Sequence, residues 1–413
     1  MKAEIITIGD ELLIGQTVDT NSAWMGAELS RLGFDICRKI SVHDNKTDIL
    51  DTLWNVTGKS DVVLITGGLG PTSDDITKQT LCEFFNTHLV VNHEVLRMIE
   101  VMMKQRNFPM NENNRRQAEV PELCKVLRNK RGTAPGMWFE KGGTIFVSMP
   151  GIPYEMEYIM KEHVLPELGR RFTSQSIIHR NIMTYGAPEA RLAEILTGFE
   201  EELPVEIKLA YLPGYGIIKL RLTATGPDKL KLNSLVDEQV KKLYGIIPDL
   251  IFGEDEDPLE KVIGRLLKDR NQSVCTAESC TGGRIAQMLT SIPGSSDYYK
   301  GSVIAYDNKV KTEVLKVNTS DIEKYGAVSG QVAEEMARGA RQLMKTDYSV
   351  AATGIAGPDG GTKEKPVGTL WIAVASENGT KSEKHLFGYD RISNINRFSV
   401  AALNLLWKQI LYR

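Results

Sequence analysis

The chain has 413 residues, 42% hydrophobic and 25% charged, which predicts two to four domains with ordinary globular cores. Its 50 Lys and Arg against 53 Asp and Glu leave a net charge of −3, no basis for a nucleic-acid or anionic-membrane partner. The five cysteines (Cys37, Cys82, Cys124, Cys275, Cys280) include no CxxC pair and fit reduced cytosolic thiols, not disulfides or structural zinc.

The first strand is expected at 3–8, ending at Gly9-Asp10-Glu11. A helix over 21–32 follows, with Asn21 or Ser22 as N-cap and Gly33 as its stop. Residues 35–42 read as a strand, 47–57 as a helix, 61–66 as a strand and 74–86 as a helix. This alternation predicts an α/β fold with a mostly parallel sheet and helices on both faces. Residues 177–247 read strand, helix, strand, strand, helix: a small α+β middle domain. The run 253–258 reads as a solvated linker or a helix start. Beyond it comes a second α/β unit, with strands at 272–278, 301–306, 348–353 and 367–375. Its helices are expected at 259–269, 281–290, 329–344 and 394–411. No stretch reaches about 20 apolar residues and the first residues lack the apolar run of a signal peptide. A cytoplasmic location without a membrane span is therefore expected.

The strand at 272–278 runs into Ser279-Cys280-Thr281-Gly282-Gly283. A nucleophile there is exposed at a strand end, beside helix N-terminal amides that suit an oxyanion or phosphate. A serine needs a base. Beyond residue 180 the only histidine is His385, in a strand without a glycine-rich turn. The other base is Lys311, in Tyr306-Asp307-Asn308-Lys309-Val310-Lys311, which must be buried or near a cation to lose its proton. Cys280 is the competing nucleophile. The glycine-rich run 353–361 follows another apolar strand and lets backbone amides approach a ligand. Each feature also fits a capping turn or a surface loop.

AESCTGG, YDNKVK, GAVS and ATGIAGPDGG with KPVGTLW together resemble the C-terminal domain of the CinA family, over about residues 255–413. The resemblance implies a nicotinamide-nucleotide amidase that needs no cofactor and converts nicotinamide mononucleotide to nicotinate mononucleotide and ammonia. It implies Ser279 as nucleophile and Lys311 as general base, with Tyr306 beside them. Thr281, Gly282, Gly283, Thr353 and Gly354 would shape the pocket. Arg397 would meet the substrate phosphate, with Arg391 as its competitor.

Near the start, two loops follow predicted strands: Gly9 to Gly15, and Gly67-Gly68-Leu69-Gly70-Pro71-Thr72-Ser73-Asp74-Asp75. Glycine amides suit phosphate oxygens, and carboxylates suit a hard divalent cation or a helix cap. GDELLIGQTVDTNSAW, ITGGLGPTSDDIT, NRRQAEVPE, GTAPGMW and MPGIPYEM resemble the molybdopterin-binding-like N-terminal domain of CinA proteins, over about 1–160. The resemblance implies an ADP-ribose pyrophosphatase using a divalent cation (Mg2+, Mn2+ or Co2+) at Asp74 and Asp75. Asp10, Glu11, Asn21, Gly67, Gly68, Gly70, Gln117 and Glu155 would line its pocket. The expected division is 1–170, 175–250 and 255–413, and the resemblance suggests a homodimer. A non-catalytic scaffold linked to competence or DNA repair is the alternative from another class, although no basic, aromatic-rich nucleic-acid surface is visible.

Overall fold

The computed structural model describes residues 1–413 except positions 71, 73, 74, 173–175, 256 and 413. The chain forms two compact units: Met1–Ile178 with Thr225–Leu232, and His179–Ala224 with Asn233–Arg413.

In the first unit the strands are β1 (Lys2–Ile8), β2 (Asp35–Val42), β3 (Val62–Thr66), β4 (Leu89–Val91), β5 (Glu119–Pro121), β6 (Lys125–Leu127), β7 (Gly136–Lys141) and β8 (Thr144–Met149). Six of them make one sheet in the order β2-β1-β3-β8-β7-β6. β2, β1, β3 and β8 run parallel, while β7 and β6 are antiparallel. The central strands are apolar because both faces are covered. Met25, Leu29, Met156 and Ile159 pack on one face, from the helices Thr20–Arg31 and Pro153–Ile159. Ile49, Leu53, Leu81 and Phe84 pack on the other, from Lys46–Val56 and Thr77–Phe85. The stretch 87–172, to which the sequence pattern assigns no element, holds the helices His93–Gln105, Glu112–Gln117 and Pro153–Ile159 and the strands β4 to β8.

Two helix starts differ from expectation. The first helix is capped by Asp19, whose carboxylate accepts from Ser22 N, so Asn21 is not the cap and its amide turns to other partners. The later helix starts at Thr77 instead of 74. Asp75 does not cap it: its carboxylate accepts from Gly70 N, Thr72 N and Thr72 Oγ1, closing the preceding turn on itself.

The second unit holds two sheets, the smaller of them except for a few residues at the ends of its elements. The smaller comprises β9 (Ser176–Tyr185), β10 (Ile207–Pro213), β11 (Ile217–Gly226) and β12 (Ile251–Glu254), in the order β10-β11-β9-β12, with helices Glu189–Glu201 and Lys229–Ile246. The larger comprises β13 (Val274–Glu278), β14 (Tyr299–Ile304), β15 (Tyr348–Gly354), β16 (Thr369–Ser376) and β17 (Gly379–Leu386). Its order is β14-β13-β15-β16-β17, with the first three parallel and the last two antiparallel. The helices Leu259–Asp269 and Arg391–Leu411 cover one face and Gly330–Met344 the other. Met183 and Phe252 of the smaller sheet join the same core, where Phe252 meets Trp407 edge-on at 6.5 Å. The last helix begins at Arg391, three residues before its expected start, because Asp390 caps it through Ile392 N and Ser393 N. Among the described residues no helix is long and apolar enough to cross a membrane.

Candidate functional site

In the second unit the three sequence motifs follow three neighbouring parallel strands, where open α/β sheets place ligands. The register brings their ends level. Ser279 N donates to Ala352 O at 2.9 Å, and Ala305 N donates to Glu278 O at 2.7 Å. Ser279 after β13, Tyr306 and Lys311 after β14, and Thr353 and Gly354 at the end of β15 therefore line one cavity of about 280 Å3, with Cys280, Asn308, Asp359 and Arg391. Thr353 Oγ1 donates to Ala327 O at 2.9 Å, which ties the Gly326-Ala327-Val328-Ser329 turn to the wall. A side chain at Gly354 would strike Thr369 O at 2.6 Å, so only glycine lets β15 reach this depth.

Lys311 lies in the short helix Asn308–Glu313 and is only 2% exposed. Its Nζ donates to Ala305 O at 2.7 Å and to Tyr306 O at 3.3 Å. Burial holds its pKa below the ordinary lysine value, against the opposing pull of Asp307 and Cys280. Two carbonyl acceptors match the two hydrogens of a neutral amine and leave its lone pair for a proton. His385, the other candidate base, is on β17, pairs with Glu383 at 3.3 Å and does not line this cavity. Cys280 does line it, but burial pushes its thiol up to about 12. The direction of that shift disfavours the thiolate, the form in which sulfur is the better nucleophile.

Thr281, Gly282 and Gly283 do not line the cavity. They build the turn behind it, around Glu278. This carboxylate is fully buried and accepts from Thr281 Oγ1 (2.8 Å), Gly283 N (3.0 Å), Ile285 N (3.0 Å), Ala286 N (2.8 Å) and Thr276 Oγ1 (3.3 Å). Glu278 was not singled out from the sequence. The available signal was a carboxylate closing an apolar strand directly before a glycine-started helix.

The two arginines stand in different places. Arg391 lines the cavity and donates to Gly357 O (2.6 Å) and Tyr306 Oη (3.1 Å). Arg397 does not, because six residues along a helix turn a side chain about 240° away. Its guanidinium instead lies 4.0 Å from the Tyr389 ring centroid.

The first unit repeats the scheme. Gly9, Gly67 and Gly151 follow β1, β3 and β8, three adjacent parallel strands, and line a cavity of about 400 Å3. Gly67 has φ +112°, and a Cβ there would sit 2.1 Å from Ile8 O, so the neighbouring loops close only around glycine. Glu11, Asn21, Gly68, Gly70 and Asp75 join the lining, with Asp44 and Asp19, which sequence reasoning missed. Asp44 follows the parallel strand β2, and that placement was the signal for it. Asn21 Nδ2 donates to Gly151 O at 2.7 Å, while its buried Oδ1 has no hydrogen-bond partner among the described residues. Asp10 is outside the lining: it accepts from Asp44 N and pairs with His43 at 2.9 Å. Gln117 and Glu155 are buried elsewhere in the unit, where Glu155 accepts from Asn129 Nδ2 at 2.6 Å. Asp74 lies outside the described residues.

The donors here are all oxygen, the chemistry of a hard cation. Among the described residues, however, no three Asp, Glu, His or Cys side chains converge on one point. The set fits a cation held by one or two carboxylates and completed by substrate phosphates, the usual Mg2+ arrangement.

Two parallel-rich sheets, each with a glycine-walled cavity at its strand ends, define a two-site α/β protein. Residues 4–170 match the family described as "Probable molybdopterin binding domain", 179–253 the "Damage-inducible protein CinA KH domain", and 256–410 the "CinA C-terminal domain". A CinA-like protein of Flavobacterium psychrophilum is 47% identical over 416 residues, covering 100% of this chain and 99% of that one. One from Cytophaga hutchinsonii is 47% identical over 408 residues, covering 99% and 98%. The crystal structure of competence/damage inducible protein CihA from Agrobacterium tumefaciens has 39% identity, covering 36% of this chain and 91% of that one, with a TM-score of 0.36. The chain belongs to the CinA family.

Proposed function

We propose that the cavity around Ser279 hydrolyses the carboxamide of nicotinamide mononucleotide to a carboxylate and ammonia. The observation that carries this reading is a buried lysine, with a lowered pKa and two hydrogens committed to carbonyls, in the same small cavity as a half-buried serine at a strand end. Lys311 takes the Ser279 hydroxyl proton as Oγ attacks the amide carbon, then returns it to the departing nitrogen. Water cleaves the resulting ester by the same route in reverse, leaving nicotinate mononucleotide. Arg391 supplies a permanent cation for the phosphate. The test is ammonia release from nicotinamide mononucleotide by the full chain, against nicotinamide riboside. Arg391→Gln is expected to raise KM about 10- to 100-fold with kcat nearly unchanged, the loss of one charged hydrogen-bonding partner made equally in ground and transition states. Arg397→Gln is expected to leave KM within about twofold. No turnover by the intact chain overturns the reading.

For the first unit we propose hydrolysis of ADP-ribose to AMP and ribose 5-phosphate. Support comes from the glycine amides, the oxygen-donor lining and the unpartnered Asn21 Oδ1. One or two of the lining carboxylates Asp75, Asp44 and Glu11, with the substrate's own phosphates, would hold a divalent cation, which would neutralise charge building on the diphosphate. Asp75→Ala opens the turn through Gly70 and Thr72 and is expected to lower turnover about 100-fold or more. A chelator should abolish activity and added Mg2+ restore it. Undiminished turnover in the variant and with chelator present would sink this assignment.

A further inference from the structure

The second unit holds a further cavity that neither proposed reaction uses. It measures about 660 Å3 and lies between the smaller sheet's turns, at Tyr185 to Glu189 and Pro213 to Ile218, and the segment His385 to Tyr389 after β17. That is the size of a small-molecule site. Its walls come from elements that share one apolar core, so it is a crevice between packed layers.

Its lining has two kinds of chemistry. One is aromatic: Tyr185, Phe387 and Tyr389, with His385 stacked on Phe387 at 12° between planes. The other is a single cation. Arg397 lines the cavity, has no ion pair among the described residues, and its Nε is buried without a hydrogen-bond partner. Its guanidinium is held flat by the Tyr389 ring at 4.0 Å. Among the described residues the one lining carboxylate is Glu189, which is exposed at the first turn of Glu189–Glu201. That helix start has no side-chain cap, and Ala187 and Pro188 bring it to the cavity wall. A guanidinium with a buried, unpartnered Nε and no carboxylate in ion-pair contact offers a place for an anion, and the aromatic side chains beside it offer a place for a flat ring.

We infer that this crevice is a further binding site, for a free nucleoside monophosphate, with the base on the aromatic wall and the phosphate on Arg397. This site is independent of which bond the Ser279 cavity breaks. The segment His385 to Tyr389 ends two residues before Arg391, which lines the Ser279 cavity.

The experiment is photolabelling of the full chain with 8-azido-AMP, followed by peptide mapping, alongside calorimetric titration with AMP. Label is expected on peptides containing 185–189, 213–218 or 385–389, competed by AMP and not by adenosine or inorganic phosphate alone. Arg397→Gln is expected to weaken AMP binding at this site at least tenfold. Ala187→Trp, which fills the crevice and leaves Arg397 in place, is expected to do the same, with unliganded Tm values reporting that both variants fold. Label confined to other peptides, affinity unchanged in both variants, or no AMP binding would each overturn the site. A single-stranded oligonucleotide that binds here while AMP does not would overturn it too.

Discussion

Replacing Lys311 with Met is expected to lower amide turnover about 10^2- to 10^4-fold, the range for losing a positioned general base. Ser279→Ala should lower it by about 10^4-fold or more, because the base and the nucleophile act as a unit. The two variants differ in a way that identifies the lysine. Burial lowers the Lys311 pKa from its ordinary value of 10.5. Unfolded, the same lysine keeps its proton up to about pH 10.4. Between the folded and unfolded pKa values the unfolded chain holds more protons, so stability rises with pH across that window. Burying this amine therefore destabilises the wild type progressively as pH falls from about 10 to the folded pKa, and methionine carries no such term. The Tm of Lys311→Met minus that of the wild type should increase as pH is lowered through the window and then level off. Ser279→Ala should show no such trend. The same neutral amine requires wild-type kcat/KM to climb with pH and to plateau above the folded pKa. A turnover that is flat with pH, or a Tm difference that ignores pH, would remove Lys311 from the base role.

The parallel strands β1, β2, β3, β13, β14 and β15 and the three loops of the amide cavity were legible because each is local: an apolar run, then glycine or a small polar cluster. Ser279, Tyr306, Lys311, Thr353 and Gly354 follow adjacent parallel strands and so meet without any information about long-range packing. What was not legible depends on where a side chain turns once its element is packed. Arg391 and Arg397 look equivalent in sequence, and only the helix phase separates a cavity wall from a ring face. Asp75 reads as a helix cap until its carboxylate is found closing the Gly70 turn. Gln117 and Glu155 carry polar groups at strand and helix ends, yet packing buries them away from the cavity. The crevice around Arg397 has no motif at all, since its two walls are almost 200 residues apart in the chain.

Glu278→Gln is expected to lower both the stability of the second unit and kcat at the Ser279 cavity. The carboxylate takes five donors on two oxygens, three of them backbone N–H groups of Gly283, Ile285 and Ala286. A glutamine keeps the shape but replaces one oxygen by NH2. Turned away from Gly283 and Ile285, that NH2 faces Ala286 N–H, which cannot reverse into an acceptor. A buried donor left unsatisfied costs about 1–3 kcal/mol, and losing the negative charge at a helix N-terminus adds up to about 2. The sum predicts a Tm several degrees lower, since 1 kcal/mol corresponds to about 2–4 °C in a unit of this size. The turn that carries Ser279 then loosens without any change to Arg391. The expected kinetic signature is a kcat about 10- to 100-fold lower with KM within about threefold, the penalty of a misplaced nucleophile. A glutamine variant with wild-type kcat and a lowered Tm would mean that Glu278 stabilises the helix start but does not position Ser279.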